Sequence, residues 1–125
     1  MRFTKLLFLS LCFCLPVGLF AQASVVGDWT MQVPAEDGGM IDVDVSLKDN
    51  DTYTVDFGGD GQIEVKGKYA ISGGQITVQN ESGDECTEKG VYNFKVTETL
   101  LIMNRVEDPC PNRGGPEGLM QFKRK

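Results

Sequence analysis

Turn-forming residues interrupt this chain every eight to twelve positions, and the segments between them alternate apolar with polar. The breakers are Glu36-Asp37-Gly38, Asp49-Asn50-Asp51, Gly58 to Gly61, Gly73-Gly74, Ser82-Gly83-Asp84, Thr97-Glu98-Thr99 and a long stretch from Asp108 to Glu117. The spacing predicts strands over 25–33, 39–47, 52–57, 62–71 with a bend at Gly67, 75–79, 90–96, 100–106 and 118–124. No segment carries a helical period. Ile41, Val43, Val45 and Leu47 fall on one face, with Asp42, Asp44, Ser46 and Lys48 on the other. Tyr53, Val55 and Phe57 oppose Thr52, Thr54 and Asp56. Ile63, Val65, Tyr69 and Ile71 oppose Glu64, Lys66, Lys68 and Ala70. One dry face per strand implies antiparallel sheet around a single interior. Short connections imply pairing of sequential neighbours. Eight such strands can close on themselves and leave no edge. The expected fold is therefore all-β, an eight-stranded up-and-down antiparallel barrel. Its interior is just wide enough to be filled by side chains or to hold one small ligand.

The first 23 residues read as an export signal outside this fold. Arg2 and Lys5 precede an uncharged apolar stretch, Leu6 to Phe20, and Ala21-Gln22-Ala23 offers a small-x-small cleavage site. That stretch is shorter than the ~20 residues a membrane-spanning helix needs. The expectation is a signal peptide over 1–23, one domain over 24–125, and no membrane span after processing. Loss of Arg2 and Lys5 leaves 10 basic against 18 acidic residues, a net charge of −8. That charge argues against nucleic acid as a partner. The expected location is periplasmic or secreted.

Two cysteines, Cys86 and Cys110, remain after processing. In an exported chain they read as a disulfide. A turn centred on Glu98 supports the pairing, since it sets Phe94 opposite Ile102, Tyr92 opposite Asn104 and, further out, Cys86 opposite Cys110. The same register predicts that Asn104 faces the interior with Tyr53, Tyr69, Tyr92, Phe94, Ile102 and Met120. Two readings of that set stay open. Asn104 bonds a tyrosine hydroxyl as structural glue, or the tyrosines and Asn104 are the polar anchors of a small apolar pocket.

The chain resembles the lipocalin-like (calycin) group, particularly small bacterial lipocalin-like domains of exported proteins. The resemblance rests on Gly27-Asp28-Trp29, on Asp60-Gly61 followed by Gly67-Lys68-Tyr69, on Gly90-Val91-Tyr92-x-Phe94, and on Glu107-Asp108-Pro109-Cys110-x-x-Arg113 with Cys86. It spans nearly all of residues 24–125. It implies that a basic residue of the last strand, Arg124 or next Lys123, packs across the Trp29 indole and closes the barrel end beside Gly27. The chain departs from the larger lipocalins in having short strands and no room for a helix after the barrel.

No catalytic pattern is present. The chain has no histidine, so the commonest general base and the His-dependent dyads are missing. Asp42 and Asp44 share a strand face, and that face is the outer one. The acidic loops at 49–51 and 56–64 resemble calcium loops only loosely. The second lacks the middle ligand, and Gly67 stands where the glutamate belongs. Both read as tight turns, and no metal or cofactor is expected. Arg113 is expected to pair with Asp108 or Glu107 in the long loop, which can act as a lid. The functional expectation is a non-enzymatic barrel that binds a small apolar or amphipathic ligand. The alternative is a filled barrel that meets a protein partner or acts as an inhibitor through its loops, and an enzyme acting on a lipophilic substrate is a poor third.

Overall fold

The computed structural model describes residues 23–125. The predicted signal segment therefore lies outside the described residues, except for Ala23. Eight strands run in order: β1 Gly27–Pro34, β2 Met40–Leu47, β3 Thr52–Phe57, β4 Val65–Ser72, β5 Gln75–Ser82, β6 Lys89–Val96, β7 Leu100–Glu107 and β8 Leu119–Arg124. Each pairs antiparallel with the next, and β8 returns to β1, so the sheet is a closed up-and-down barrel. The alternation explains why. Trp29, Val43, Leu47, Tyr53, Val65, Tyr69, Ile76, Val78, Leu101 and Phe122 all point inward and are buried. Gly67 marks a bulge, as its place in the fourth segment suggests, and the β4–β5 register shifts there. Residues 62–64, expected to be strand, belong to the loop before β4.

Four residues assigned to the interior are exposed. Ile41, Phe57, Ile63 and Ile71 follow the alternation, but they sit at or beyond the barrel rims, where no opposite wall covers them.

The β6–β7 hairpin departs from expectation by one residue. Val96 pairs with Leu101, so the turn is the two-residue Glu98-Thr99 step, closed by the Thr97 N–H donating to the Leu100 carbonyl at 2.8 Å. Phe94 then faces Met103, Tyr92 faces Arg105, and Asn93 faces Asn104. A slip of one residue moves every side chain to the other face. Asn104 is therefore on the outer surface and exposed, and Ile102 also points outward. Leu101 and Met103 take the inward positions. Cys86 and Cys110 do form a disulfide, with Cα atoms 5.7 Å apart. It forms through the loops that precede β6 and follow β7, since a further register shift at Val91 ends the regular ladder before the cysteines.

Closure is the weakest part of the sheet. β1 and β2 pair over eight rungs, whereas β1 and β8 share two, Trp29–Arg124 and Thr30–Lys123. Continuing that register would set Gln32 opposite Gln121, but the strands part there. A cleft of about 340 Å³ lies between them, bordered by Met31, Val33, Pro116, Leu119 and Met120. The two rungs are reinforced by Arg124. Its guanidinium carbon lies 4.1 Å from the Trp29 ring centroid. Its Nε, Nη1 and Nη2 donate to the carbonyls of Glu98, Val26 and Ser24 at 2.7, 3.1 and 2.9 Å. The indole Nε1 donates to the Val25 carbonyl at 2.8 Å. Gly27 makes this possible, because a Cβ there would lie 2.5 Å from Arg124 Nη1 and its φ of +146° suits glycine alone. The Gly-x-Trp pattern and the last-strand arginine form one latch, as the resemblance implies.

Arg124→Ala removes the cation–π contact and three hydrogen bonds to carbonyls. The expected result is a loss of about 1–3 kcal/mol of stability and a red shift of Trp29 emission. Unchanged emission and an unchanged melt would contradict the latch.

Candidate functional site

The barrel encloses a cavity of about 300 Å³. Its lower wall is apolar and includes Trp29, Val45, Val55, Val78, Leu101 and Phe122. Its upper end lies under the loop joining β7 to β8, where Asn112, Arg113, Gly114 and Gly115 reach over the mouth. Tyr53 and Asn80 contribute the polar part of the wall proper. These two residues are joined through a glycine. Tyr53 of β3 pairs with Gly67 of β4, and Gly67 pairs with Asn80 of β5. A Cβ on Gly67 would fall 2.6 Å from the Tyr53 hydroxyl oxygen. Its absence lets the Tyr53 ring lie across β4, where the hydroxyl donates to Asn80 Oδ1. Burial pushes the Tyr53 hydroxyl up to about 12, against the opposing charge of Arg113.

The loop over the mouth is held by a second, charged cluster. Arg113 Nε and Nη2 donate to the two Asp108 carboxylate oxygens at 2.7 and 2.8 Å, the bidentate geometry a guanidinium favours. The Asp108 side chain is fully shielded from solvent. Tyr92 donates its hydroxyl to the same carboxylate, and the Cys110 N–H donates at 2.9 Å. Burial alone would raise the Asp108 carboxyl, but the donors from Arg113, Tyr92 and Cys110 outweigh it and hold it below the ordinary value. Burial and the adjoining carboxylate push Tyr92 up to about 12. Gly90 leaves the space for this cluster, since a Cβ there would meet Asp108 Oδ2 at 2.5 Å. Arg113 Nη2 also donates to the Glu88 carbonyl at 2.6 Å, and the disulfide ties the same two loops. The lid is thus tied to the segment before β6 by the disulfide and the Arg113–Glu88 hydrogen bond, and braced within itself by the Asp108–Arg113 ion pair.

The residues expected to anchor a ligand separate into different places. Tyr53 is in the cavity wall. Tyr92 is completely buried and supports the lid through Asp108. Phe94 is half-buried and packs against the core. Tyr69 is directed at the other end of the barrel, where its hydroxyl donates to the Lys48 carbonyl at 2.5 Å. Asn104 is outside. Asn80 takes the polar position that the register had assigned to Asn104. The sequence carried a signal for it, since Ile76, Val78 and Asn80 share one alternation phase. Arg105 was also missed. It faces Tyr92 across the hairpin, and its Nη2 donates to the carbonyls of Arg113 and Gly115 at 2.8 and 2.6 Å.

The acidic side chains serve the turns and the outer face. The Asp56 carboxylate accepts the Asp60 and Gly61 N–H groups at 3.3 and 2.8 Å, and Glu64 accepts from Phe57 at 2.8 Å. Asp56, Asp60 and Glu64 come within 4.8 Å of one another. Asp44 accepts from Thr30 and Lys125 at 2.6 and 2.8 Å on the outer face, and Asp42 accepts from Gln32 at 3.2 Å. Among the described residues, no helix is long and apolar enough to cross a membrane. No family model, no curated protein and no solved structure matches the chain.

Two outcomes follow from the clamp. Cys86→Ser should lower stability by roughly 3 kcal/mol, on the loop-closure estimate for a bridge of this span. An unchanged melt in oxidised protein would contradict the bridge's role. Asp108 has a lowered carboxyl, so its contribution is complete above its unfolded value and is lost as pH falls through the folded one. The stability gap between wild type and Asp108→Asn should therefore be widest near neutrality and narrow as pH falls below 3.8. A gap that stayed constant down to pH 2 would contradict the assignment.

Proposed function

We propose that this chain is an exported lipocalin-like barrel that holds one small apolar or amphipathic molecule inside. In this reading residues 1–23 are a cleaved signal peptide and residues 24–125 are the working domain. The observation that carries it is the cavity of about 300 Å³ between Trp29 and the Arg113 loop. Its volume is at the lower end of real ligand sites, and its lining is mostly apolar with a few convergent polar groups. At the ~30 Å³ that a water molecule occupies in the liquid, it has room for about ten non-hydrogen atoms. Membership of the calycin group is supported by the closed eight-stranded barrel and by the Gly27–Trp29–Arg124 latch. Export is supported by the disulfide, which persists in oxidising compartments.

A second reading, a module that meets a protein partner through its loops, is favoured by one feature. Met40, Ile41, Phe57 and Ile63 are exposed together around the open rim. The two readings separate on a cavity-filling variant. Val55→Phe puts a ring into the cavity from its wall while leaving the rim intact. Under the binding reading, a solvatochromic apolar probe should lose at least about tenfold in affinity, with the melt shifting by no more than the ~1–3 kcal/mol of ordinary overpacking. Probe binding unaffected by Val55→Phe would sink the internal site. Rim variants such as Phe57→Ser would then be the ones to weaken binding.

A further inference from the structure

Four large apolar side chains meet solvent at the mouth end of the barrel. Their exposure runs from 37% for Ile41 through 44% for Ile63 and 48% for Phe57 to 56% for Met40. They come from adjoining elements. Met40 and Ile41 open β2, Phe57 closes β3, and Ile63 follows in the loop to β4. Hydrogen bonds hold these elements together. The Gly58 N–H donates to the Asp42 carbonyl at 2.7 Å, and the Phe57 N–H donates to the Glu64 carboxylate at 2.8 Å. Single exposed apolar residues are ordinary, whereas several gathered on one edge mark a surface that something covers.

The same stretch of chain carries charge of one sign. From Met31 to Val65 there are nine acidic residues and one basic residue, Lys48. Lys48, Asp49 and Asp51 lie in the turn between β2 and β3, at the opposite end of the barrel. Asp44 pairs with Lys125, and Asp56 is buried and accepts the Asp60 and Gly61 N–H groups. The other five surround the apolar four. Glu36 and Asp37 are in the turn before β2, Asp42 is on β2, and Asp60 and Glu64 are in the loop after β3. All five are exposed, and none belongs to an ion pair among the described residues. A field of one sign over an apolar surface attracts opposite charge and repels like charge. Solubility accounts for the carboxylates, and it gives no reason for Met40 and Ile63 to stand in water among them.

We infer that this rim docks a basic segment of a partner protein. Apolar side chains of that segment cover Met40, Ile41, Phe57 and Ile63, and its lysines or arginines reach the surrounding carboxylates. The inference rests on the second reading above, a module that meets a protein through its loops, and adds the partner's charge and the surface it meets. It leaves the internal cavity free, since Met40, Ile41 and Ile63 do not line it. A second copy of the chain does not fit, because its matching rim would set the same carboxylates against these. Nucleic acid and anionic membrane are repelled on the same ground.

Three dye-labelled synthetic peptides test this, sharing their leucine positions and carrying lysine, glutamine or glutamate at the others. Binding is followed by fluorescence anisotropy at pH 7.5. The lysine peptide should bind about tenfold more tightly than the glutamine peptide, as a handful of weak surface ion pairs provides. The glutamate peptide should bind most weakly, and added salt should erase the differences. Glu36→Gln with Glu64→Gln removes two charges and keeps an oxygen for the Phe57 N–H. It should weaken the lysine peptide about threefold to fivefold and leave the glutamine peptide unchanged. Asp49→Asn with Glu98→Gln removes the same charge at the opposite end, beyond the screening length of about 8–10 Å, and should change neither. Met40→Ser with Ile63→Ser should weaken both peptides about tenfold. Equal binding of the lysine and glutamine peptides, or equal losses from the two charge variants, would overturn the basic partner and leave the rim reading standing. Binding unmoved by Met40→Ser with Ile63→Ser would overturn the docking surface. Failure of all three peptides to bind would overturn the second reading and this inference with it.

Discussion

The barrel depends on how its first and last strands meet. A twisted antiparallel sheet of eight strands has two edges, and closure removes both only if the final pairing holds. Here that pairing is two rungs long, against eight between β1 and β2. Arg124 makes the short seam sufficient. One side chain stacks on the buried indole and binds carbonyls from the N-terminal segment and from the β6–β7 turn. The latch closes the floor of the interior and fixes Trp29 as its lowest wall. Beyond the second rung the strands separate, and Met31, Val33 and Met120 border both the lateral cleft and the cavity.

The open end is organised on different physics. The floor is held by a half-buried guanidinium and an aromatic ring, and the mouth by a buried ion pair, two tyrosine hydroxyls and a disulfide. Glycines at 67 and 90 provide the room. Each removes a Cβ that would collide with a polar side chain from a neighbouring strand or loop. The polar groups gather under the lid and the apolar ones toward Trp29, so the interior is itself amphipathic along its axis. This segregation links the fold to the proposed ligand.

Much of this was legible in the sequence, for reasons that can be named. Strand number and order followed from period-two alternation and from turn residues, which act locally. The latch was implied by the resemblance that Gly27-Asp28-Trp29 helps to carry, which sets a basic residue of the last strand, Arg124 or next Lys123, across the indole. The hairpin register was not legible to within one residue. Thr97-Glu98-Thr99 is compatible with a two- or a three-residue turn, and that difference sends Asn104 to solvent and admits Met103. The disulfide was assigned correctly, although a register shift at Val91 carries the cysteines off the regular ladder. Asn80 was missed because the fifth strand was expected to end at residue 79, one position short of it, and Arg105 because its inward direction depends on the true hairpin register. Tyr69 and Tyr92 were grouped with Tyr53 because all three face inward. Only position along the barrel axis separates them, and a single strand's alternation does not encode it.

The central claim is that the space between Trp29 and the Arg113 loop is a real apolar cavity. Xenon tests it without assuming any ligand, since apolar cavities of this kind take up the gas. A crystal of the protein equilibrated under xenon should show bound atoms against Val45, Val55 and Phe122, inside the barrel. An interior without xenon, with those side chains in mutual contact across the axis, would contradict the account.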